Sequence, residues 1–193
     1  MRRLIVSMNI TLDGLMSGPD GELDWHFRHW DAEIGETLAS ELYKADCLLF
    51  GRITYNGMMR HWQNLAKADF LSKDDMGFFC QVADCYKVVC SSTLVNATWK
   101  HSEIINGDIK SGVQKLKSGK GKNIIVYGSG QLVSLLFQER LIDQLQLWIH
   151  PVLIGKGKKF FKDEMEGAEL KLVSVKQFST GVVFVRYKVI NST

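Results

Sequence analysis

The stretch KNIIVYGSGQLVSLLFQERLIDQL, residues Lys122–Leu145, decides how this chain is read. Ile124, Ile125, Val126 and Tyr127 form a short β-branched and aromatic run, Gly128-Ser129-Gly130 interrupts it, and Leu132, Leu135 and Leu136 then recur at helical spacing. The pattern is strand, glycine turn, helix. Such a turn points backbone N–H groups and the positive end of a helix dipole at one spot, which suits a phosphate or pyrophosphate. It equally suits a tight β-to-α connection in which glycine serves geometry alone. The motif is neither G-x-G-x-x-G, since Val133 stands at the third glycine, nor a Walker A loop, so neighbouring stretches must choose.

Upstream, Leu4, Val6, Met8, Ile10 and Leu12 alternate with Ile5, Ser7, Asn9 and Thr11, the period of a first strand over residues 3–12. A turn-rich loop follows from Asp13-Gly14 to Glu22, long enough to suggest a functional role. Asp31 caps a helix predicted to run to about Lys44. Asp46–Phe50 reads as a buried strand that enters Gly51-Arg52-Ile53-Thr54, and a short helix is expected over Thr54–Trp62. Residues 63–74 read as a polar connection, Asp75–Ala83 as a helix and Tyr86–Ser91 as a buried strand closed by Ser91-Ser92-Thr93. A short strand at Ser102–Ile105 and a helix at Asp108–Lys117, capped by Asn106 or Asp108, lead back to the central stretch.

Beyond that stretch the order changes. Leu145–His150 is a strand ended by Pro151, and the glycine-broken Val152–Phe161 is expected to re-enter the sheet. Glu169–Phe178 and Val182–Ile190 both alternate and are joined by Ser179-Thr180-Gly181, a hairpin with no helix between its strands. The expectation is an α/β fold whose mostly parallel sheet finishes in an antiparallel hairpin, as one domain spanning 1–193.

Composition narrows the function. At 193 residues the chain can bury roughly 70% of its unfolded surface in one core. A net charge of +3 with no one-sided basic block argues against a nucleic-acid or membrane partner and leaves small anionic ligands. No apolar run approaches the length of a membrane span, and polar residues alternate through the N-terminus, so a cytoplasmic protein is expected. The four cysteines, Cys47, Cys80, Cys85 and Cys90, form no C-x-x-C pair, so no metal site is expected and reduced thiols are. Lys115–Lys122 reads as a solvated turn, and so do Lys156, Lys158 and Lys159, whose other reading is contact with a substrate phosphate.

Three strand ends carry Gly51-Arg52-x-Thr54, Ser91-Ser92-Thr93 and Gly128-Ser129-Gly130-Gln131, and parallel strands would bring all of them to one crevice. Arg52 offers a fork for a monophosphate, the serines short donors, and the glycine turn backbone N–H groups. NADPH is the common cofactor with both a pyrophosphate and a separate phosphate. Asp13, closing strand one, is the candidate catalytic group, to polarise or protonate a substrate nitrogen or carbonyl; its other reading is an Asp-Gly turn residue. Trp25, His26, Trp30, Tyr55 and Trp62 could stack a flat heterocycle or close the core.

The set SMNITLDG (7–14), GPDGELDW (18–25), FGRITY (50–55), GSG-x-L (128–132), LIDQL (141–145) and PVLIG-x-G (151–157) resembles the dihydrofolate reductase-like superfamily. More closely it resembles the bacterial branch related to the C-terminal reductase domain of the bifunctional riboflavin-biosynthesis deaminase/reductase. The resemblance covers nearly the whole chain. It implies a mixed, mostly parallel sheet of about eight strands flanked by helices, NADPH across the strand ends, and a homodimer. It places Gly51, Arg52, Thr54, Ser91, Ser92, Gly128, Ser129, Gly130 and Gln131 around the cofactor and the loop around Asp13 near the nicotinamide. Leu132 is expected with the same turn at the cofactor, and Trp25, Tyr55 and Tyr127 are the residues expected beside the substrate. Riboflavin-pathway reductases carry an acidic residue just before the glycine turn, where this chain has Tyr127. The implied activity is hydride transfer to a small nitrogen heterocycle, imine or carbonyl compound; a nucleotide-binding module without chemistry is the alternative. Val182, Phe184 and Val189 on the terminal hairpin are candidates for a dimer patch.

Overall fold

The computed structural model describes residues 1–65, 80–161 and 167–190. Ten strands and five named helices lie among the described residues. In chain order these are β1 (Leu4–Thr11), β2 (Leu15–Ser17), α1 (Asp24–Phe27), α2 (Ala32–Leu42), β3 (Ala45–Gly51), α3 (Arg52–Leu65), β4 (Tyr86–Cys90), β5 (Ser102–Ile105), α4 (Ile109–Ser118), β6 (Asn123–Val126), α5 (Gly130–Gln138), β7 (Gln144–His150), β8 (Lys158–Lys159), β9 (Glu169–Gln177) and β10 (Val183–Ile190). Residues 80–84 are also helical, and the rest of the expected 75–83 helix, with positions 66–74 of the expected polar connection, lies outside the described residues.

Eight strands form one sheet in the order β5-β4-β3-β6-β1-β7-β10-β9. Every pairing from β5 to β7 is parallel, and β10 alone runs against both of its neighbours. The mixed, mostly parallel sheet with an antiparallel end is the architecture expected from the residues. Its central strands are buried on both faces, as parallel strands covered by helices must be. On one face Leu4, Val6, Cys47, Leu49, Ile124 and Val126 pack with Leu132, Val133 and Leu136 of α5 and Val113 of α4. On the other, Ile5, Leu48, Phe50 and Ile125 pack with Tyr55 and Trp62 of α3, while Ile34 of α2 meets Trp148, Phe178 and Phe184.

Several details depart from the expectations. Asp31 caps α2 by accepting from the Ile34 N–H (2.9 Å), and Asp108 rather than Asn106 caps α4 (3.0 Å from Ser111 N). Helix α3 begins directly at Arg52, before Thr54, and continues through residues 63–65. The glycine-broken segment does not re-enter the main sheet; β8 pairs antiparallel with β2 in a separate two-stranded ribbon. The reason is that Leu12 N–H bonds to Val152 O (2.9 Å) and Phe160 N–H to Gly14 O (3.0 Å), which zips the two loops together beyond the sheet edge.

Lys117 is not a solvated turn residue. It is 5% exposed and donates to Leu141 O (2.6 Å) and Asp143 Oδ2 (2.7 Å), and Asp143 Oδ2 also accepts from Leu4 N–H. The expected dimer patch is corrected as well. Val182, Phe184 and Val189 are 0%, 2% and 6% exposed, because Val182 and Phe184 pack with Ile34, Trp148 and Phe178 and Val189 packs in the main core. The exposed apolar residues lie on the edge strand β9 instead: Leu172, Val173 and Val175.

Candidate cofactor and substrate cleft

Because β4, β3, β6, β1 and β7 are parallel neighbours, their carboxyl ends share one edge of the sheet. That edge carries, in spatial order, Ser91 and Ser92, Gly51 and Arg52, the 127–130 turn, the Thr11–Gly14 corner, and His150. The three strand ends singled out from the sequence are therefore brought together.

Their centre is a close contact between two turns. Gly51 N–H donates to Gly128 O (3.0 Å), and a Cβ placed on Gly51 would lie 2.6 Å from Ser129 Oγ and 3.2 Å from Ser129 N. Gly128 has φ +110°, the left-handed region that favours glycine, with Thr54 Oγ1 and Met8 beside it; the Gly128–Ser129 peptide is cis. Two helices start from this contact, α3 at Arg52 and α5 at Gly130. Ser129 gives α5 no side-chain cap, so the N–H groups of Gly130, Gln131 and Leu132 have no intrahelical acceptor. Leu132 can serve a ligand only through that N–H, since its side chain is in the core.

The other phosphate candidates differ in how free they are. Arg52 and Ser92 are exposed and Thr54 is half-buried. Ser91 is buried, and its Oγ already accepts from Thr93 N–H (3.1 Å) and Leu94 N–H (2.9 Å), closing a local turn. Met16 on β2 lies over the start of α5, with Cε 2.5 Å and Sδ 2.8 Å from where a Gly130 Cβ would be. A side chain at position 130 would collide with this roof. The glycine cradle, the α5 start without a side-chain cap and the exposed guanidinium are a donor set that fits a dinucleotide carrying an extra phosphate.

Asp13 stands at the corner after β1, exposed. Its Oδ2 accepts from Gly155 N–H (2.8 Å), tying the first loop to the one after β7. The Thr11 hydroxyl, and then backbone N–H groups including that of Gly155, hold its carboxyl below the ordinary aspartate range. At neutral pH it carries charge and no proton.

On the substrate side the aromatic residues divide. Tyr55 is 1% exposed and its hydroxyl is used by Trp99 N–H (2.8 Å) and Ser102 Oγ, so it closes the core and cannot wall a cleft; this corrects its assignment beside the substrate. Trp62 is likewise buried. Tyr127 is half-buried directly before the glycine turn, and burial pushes its phenol up, so the position is neutral. Trp25 and His26 are buried on α1, whereas Trp30 is exposed.

Sequence reading passed over one cluster. His150, ending β7, is 1% exposed, and its Nε2 lies 2.9 Å from Asn9 Oδ1. The rings of Trp25, His26 and His29 surround it at centroid distances of 5.1, 6.0 and 6.1 Å. Burial first, then His26 and His29, push its pKa down to about 4, so the ring is neutral. The signal was a polar residue, Asn9, on the inward alternation of a central strand. Among the described residues no cluster of metal-ligating side chains is present, and no helix is long and apolar enough to cross a membrane.

Comparison with known proteins identifies the family and the fold. The family model described as the RibD C-terminal domain matches residues 2–184. Uncharacterized protein YyaP of Bacillus subtilis (strain 168) is 33% identical over 186 residues, covering 96% of this chain and 94% of that protein. A putative riboflavin biosynthesis protein from Shewanella sp. PV-4 superposes with a TM-score of 0.74 at 18% identity, over 98% of this chain and 99% of that one. Dihydrofolate reductase from Enterococcus faecalis, complexed with NADP(H) and RAB-propyl, superposes with a TM-score of 0.62 at 12% identity, over 98% and 97%. At these identities the two structures establish the fold alone.

Proposed function

The chain belongs to the RibD C-terminal domain family, and from that premise we propose that it is an NADPH-dependent reductase of a small nitrogen heterocycle, imine or carbonyl compound. The observation that carries the proposal is the junction of α3 and α5 at the Gly51–Ser129 contact, where two helix starts and an exposed Arg52 converge. Backbone N–H groups of Gly130, Gln131 and Leu132 would hold the pyrophosphate, with Ser129 and Thr54 beside it. Arg52, assisted by Ser92, would take the separate phosphate, because a guanidinium pairs with phosphate in two parallel hydrogen bonds. The bound cofactor supplies the hydride. The chain supplies position and dryness: the β2–β8 ribbon and Met16 roof the turn, and the half-buried Tyr127 would border the space beside it, with the buried Trp25 packed behind against His150. The charged Asp13 would polarise a substrate N–H by accepting its hydrogen bond but cannot protonate the substrate, so the proton comes from water.

The E. faecalis reductase with its NADP(H) supports the cofactor. Cys47, Cys80, Cys85 and Cys90 are free thiols, which suits a reducing compartment such as the cytoplasm. The test is a fluorescence titration of NADPH against NADH on wild type and Arg52→Ala. The expected result is NADPH preferred by wild type, with Arg52→Ala weakened to the NADH level. Equal affinity of wild type for both nucleotides would remove Arg52 from the site, and binding of neither would remove the reductase assignment. Turnover with dihydrofolate and with 5-amino-6-(5-phosphoribosylamino)uracil then distinguishes a dihydrofolate reductase-like from a riboflavin-pathway-like substrate.

A further inference from the structure

We infer that Asn9, oriented by His150, is a hydrogen-bond donor to the acceptor atom of the substrate, a carbonyl oxygen or an imine nitrogen. The inference rests on the reductase reading and adds to it a residue that addresses the reacting bond. Asn9 sits on β1 directly after Met8, whose thioether lies 3.7 Å from where a Gly128 Cβ would be, so it neighbours the glycine turn along the strand. It points to the opposite face from Met8, the face of α1, Trp25 and His150. It is half-buried. It thus lies between the cofactor turn and the aromatic wall.

Which end of its amide faces the cleft is decided by His150. That ring is neutral and carries one proton. Its Nδ1 is buried with no hydrogen-bond partner, while its Nε2 is 2.9 Å from Asn9 Oδ1. A proton on Nδ1 would create a buried orphan N–H, which native structures rarely tolerate, whereas a bare ring nitrogen is the lesser penalty. The proton therefore belongs on Nε2, which donates to Asn9 Oδ1. With its oxygen turned to His150, Asn9 presents its Nδ2 hydrogens on the other side of the amide. The rings of Trp25, His26 and His29 keep water from His150, so this orientation has no solvent competitor. His150 is a positioning residue here.

The chemistry needs such a donor. When the substrate carbon of a C=O or C=N bond accepts a hydride, the electron pair of that bond moves onto the oxygen or nitrogen, which then takes a proton from water. The oxidised nicotinamide is the other product. An amide N–H aimed at that atom stabilises the developing charge without transferring its own proton.

The test uses the full chain labelled with nitrogen-15. Histidine-ring spectra are expected to show His150 with Nε2 protonated and Nδ1 bare from pH 6 to 8. The Asn9 side-chain amide signal, assigned by its loss in Asn9→Leu, is expected to shift when dihydrofolate is added to the NADP⁺ complex, where no turnover occurs. In steady state, Asn9→Leu and the size-conserving Asn9→Asp are expected to lower kcat by about a hundredfold, with NADPH affinity within about twofold of wild type. His150→Leu should match them, and His150→Gln, which keeps an N–H donor, should restore most of the rate. Nδ1 protonation at His150, or full kcat in both Asn9 variants with NADPH still bound, overturns the inference and leaves the reductase reading standing. Absence of NADPH binding by wild type overturns the reading, and the inference with it.

Discussion

Gly51 and Ser129 approach so closely that a β-carbon on Gly51 would sit 2.6 Å from Ser129 Oγ and 3.2 Å from Ser129 N. The pair joins the end of β3 to the start of α5, and both helix starts in the candidate cofactor cleft depend on it. Gly51→Ala is therefore expected to cost about 1–3 kcal/mol, the range of overpacking at a tight site, and to weaken NADPH at least about tenfold by shifting the α5 N–H groups. Ser129→Ala in the same chain removes the oxygen and should recover part of the stability. Denaturant unfolding of the single and double variants checks this; a Gly51→Ala protein as stable as wild type would show that the turns are not packed as described.

Asp13 and Gly155 form the second link, between the loops that roof the cleft. Asp13→Asn keeps an oxygen for the Gly155 N–H, whereas Asp13→Ala removes it. If the latch alone matters, the asparagine variant retains turnover and only the alanine variant loses it. If the charge polarises substrate, both lose it, and this is the outcome expected. Because Thr11 and the backbone N–H groups hold the carboxyl below its ordinary range, the wild-type rate should show no acid limb from Asp13 near neutrality.

Stability should fall in mild acid because of His150. Its folded pKa of about 4 lies below the ordinary 6.5, so between these values the unfolded chain binds the proton and the folded chain does not. The contribution is complete above about pH 6.5, declines as pH drops, and amounts to roughly 2 kcal/mol lost by pH 5. His26, also lowered by burial, acts in the same direction. Unfolding free energies measured from pH 4 to 8 should show this slope, and His150→Gln should flatten it. An unchanged slope in that variant would assign the acid sensitivity elsewhere.

Leu172, Val173 and Val175 lie 52%, 58% and 55% exposed on β9, which among the described residues has a strand neighbour on one side only. An exposed apolar edge strand invites pairing with a second copy, and we propose that it forms the homodimer contact. Sedimentation at micromolar concentration should give a dimer for wild type and a monomer for Val173→Lys combined with Val175→Lys. A monomeric wild type removes the proposal.

The sequence by itself determined the α/β order, the strand-turn-helix units and the terminal hairpin, because these rest on local periodicity and on glycines where the hydrophobic period changes. Gly51, Arg52, Ser91 and Gly128-Ser129-Gly130 were legible as one crevice for the same reason: parallel strands put their ends on one edge. Which aromatic side chains reach that crevice was decided only by packing. Tyr55 and Trp62 fall on the inward face of α3 and are consumed by the core, and Ser91 spends its hydroxyl on its own turn. The burial of Lys117 and the Asn9–His150 pair likewise depend on partners many residues away, 24 in the case of Leu141 and 141 in the case of Asn9. Alternation reports which face of a strand is inward; only the fold decides which two inward polar groups meet, since a buried polar atom must find its partner across the sheet rather than along the chain.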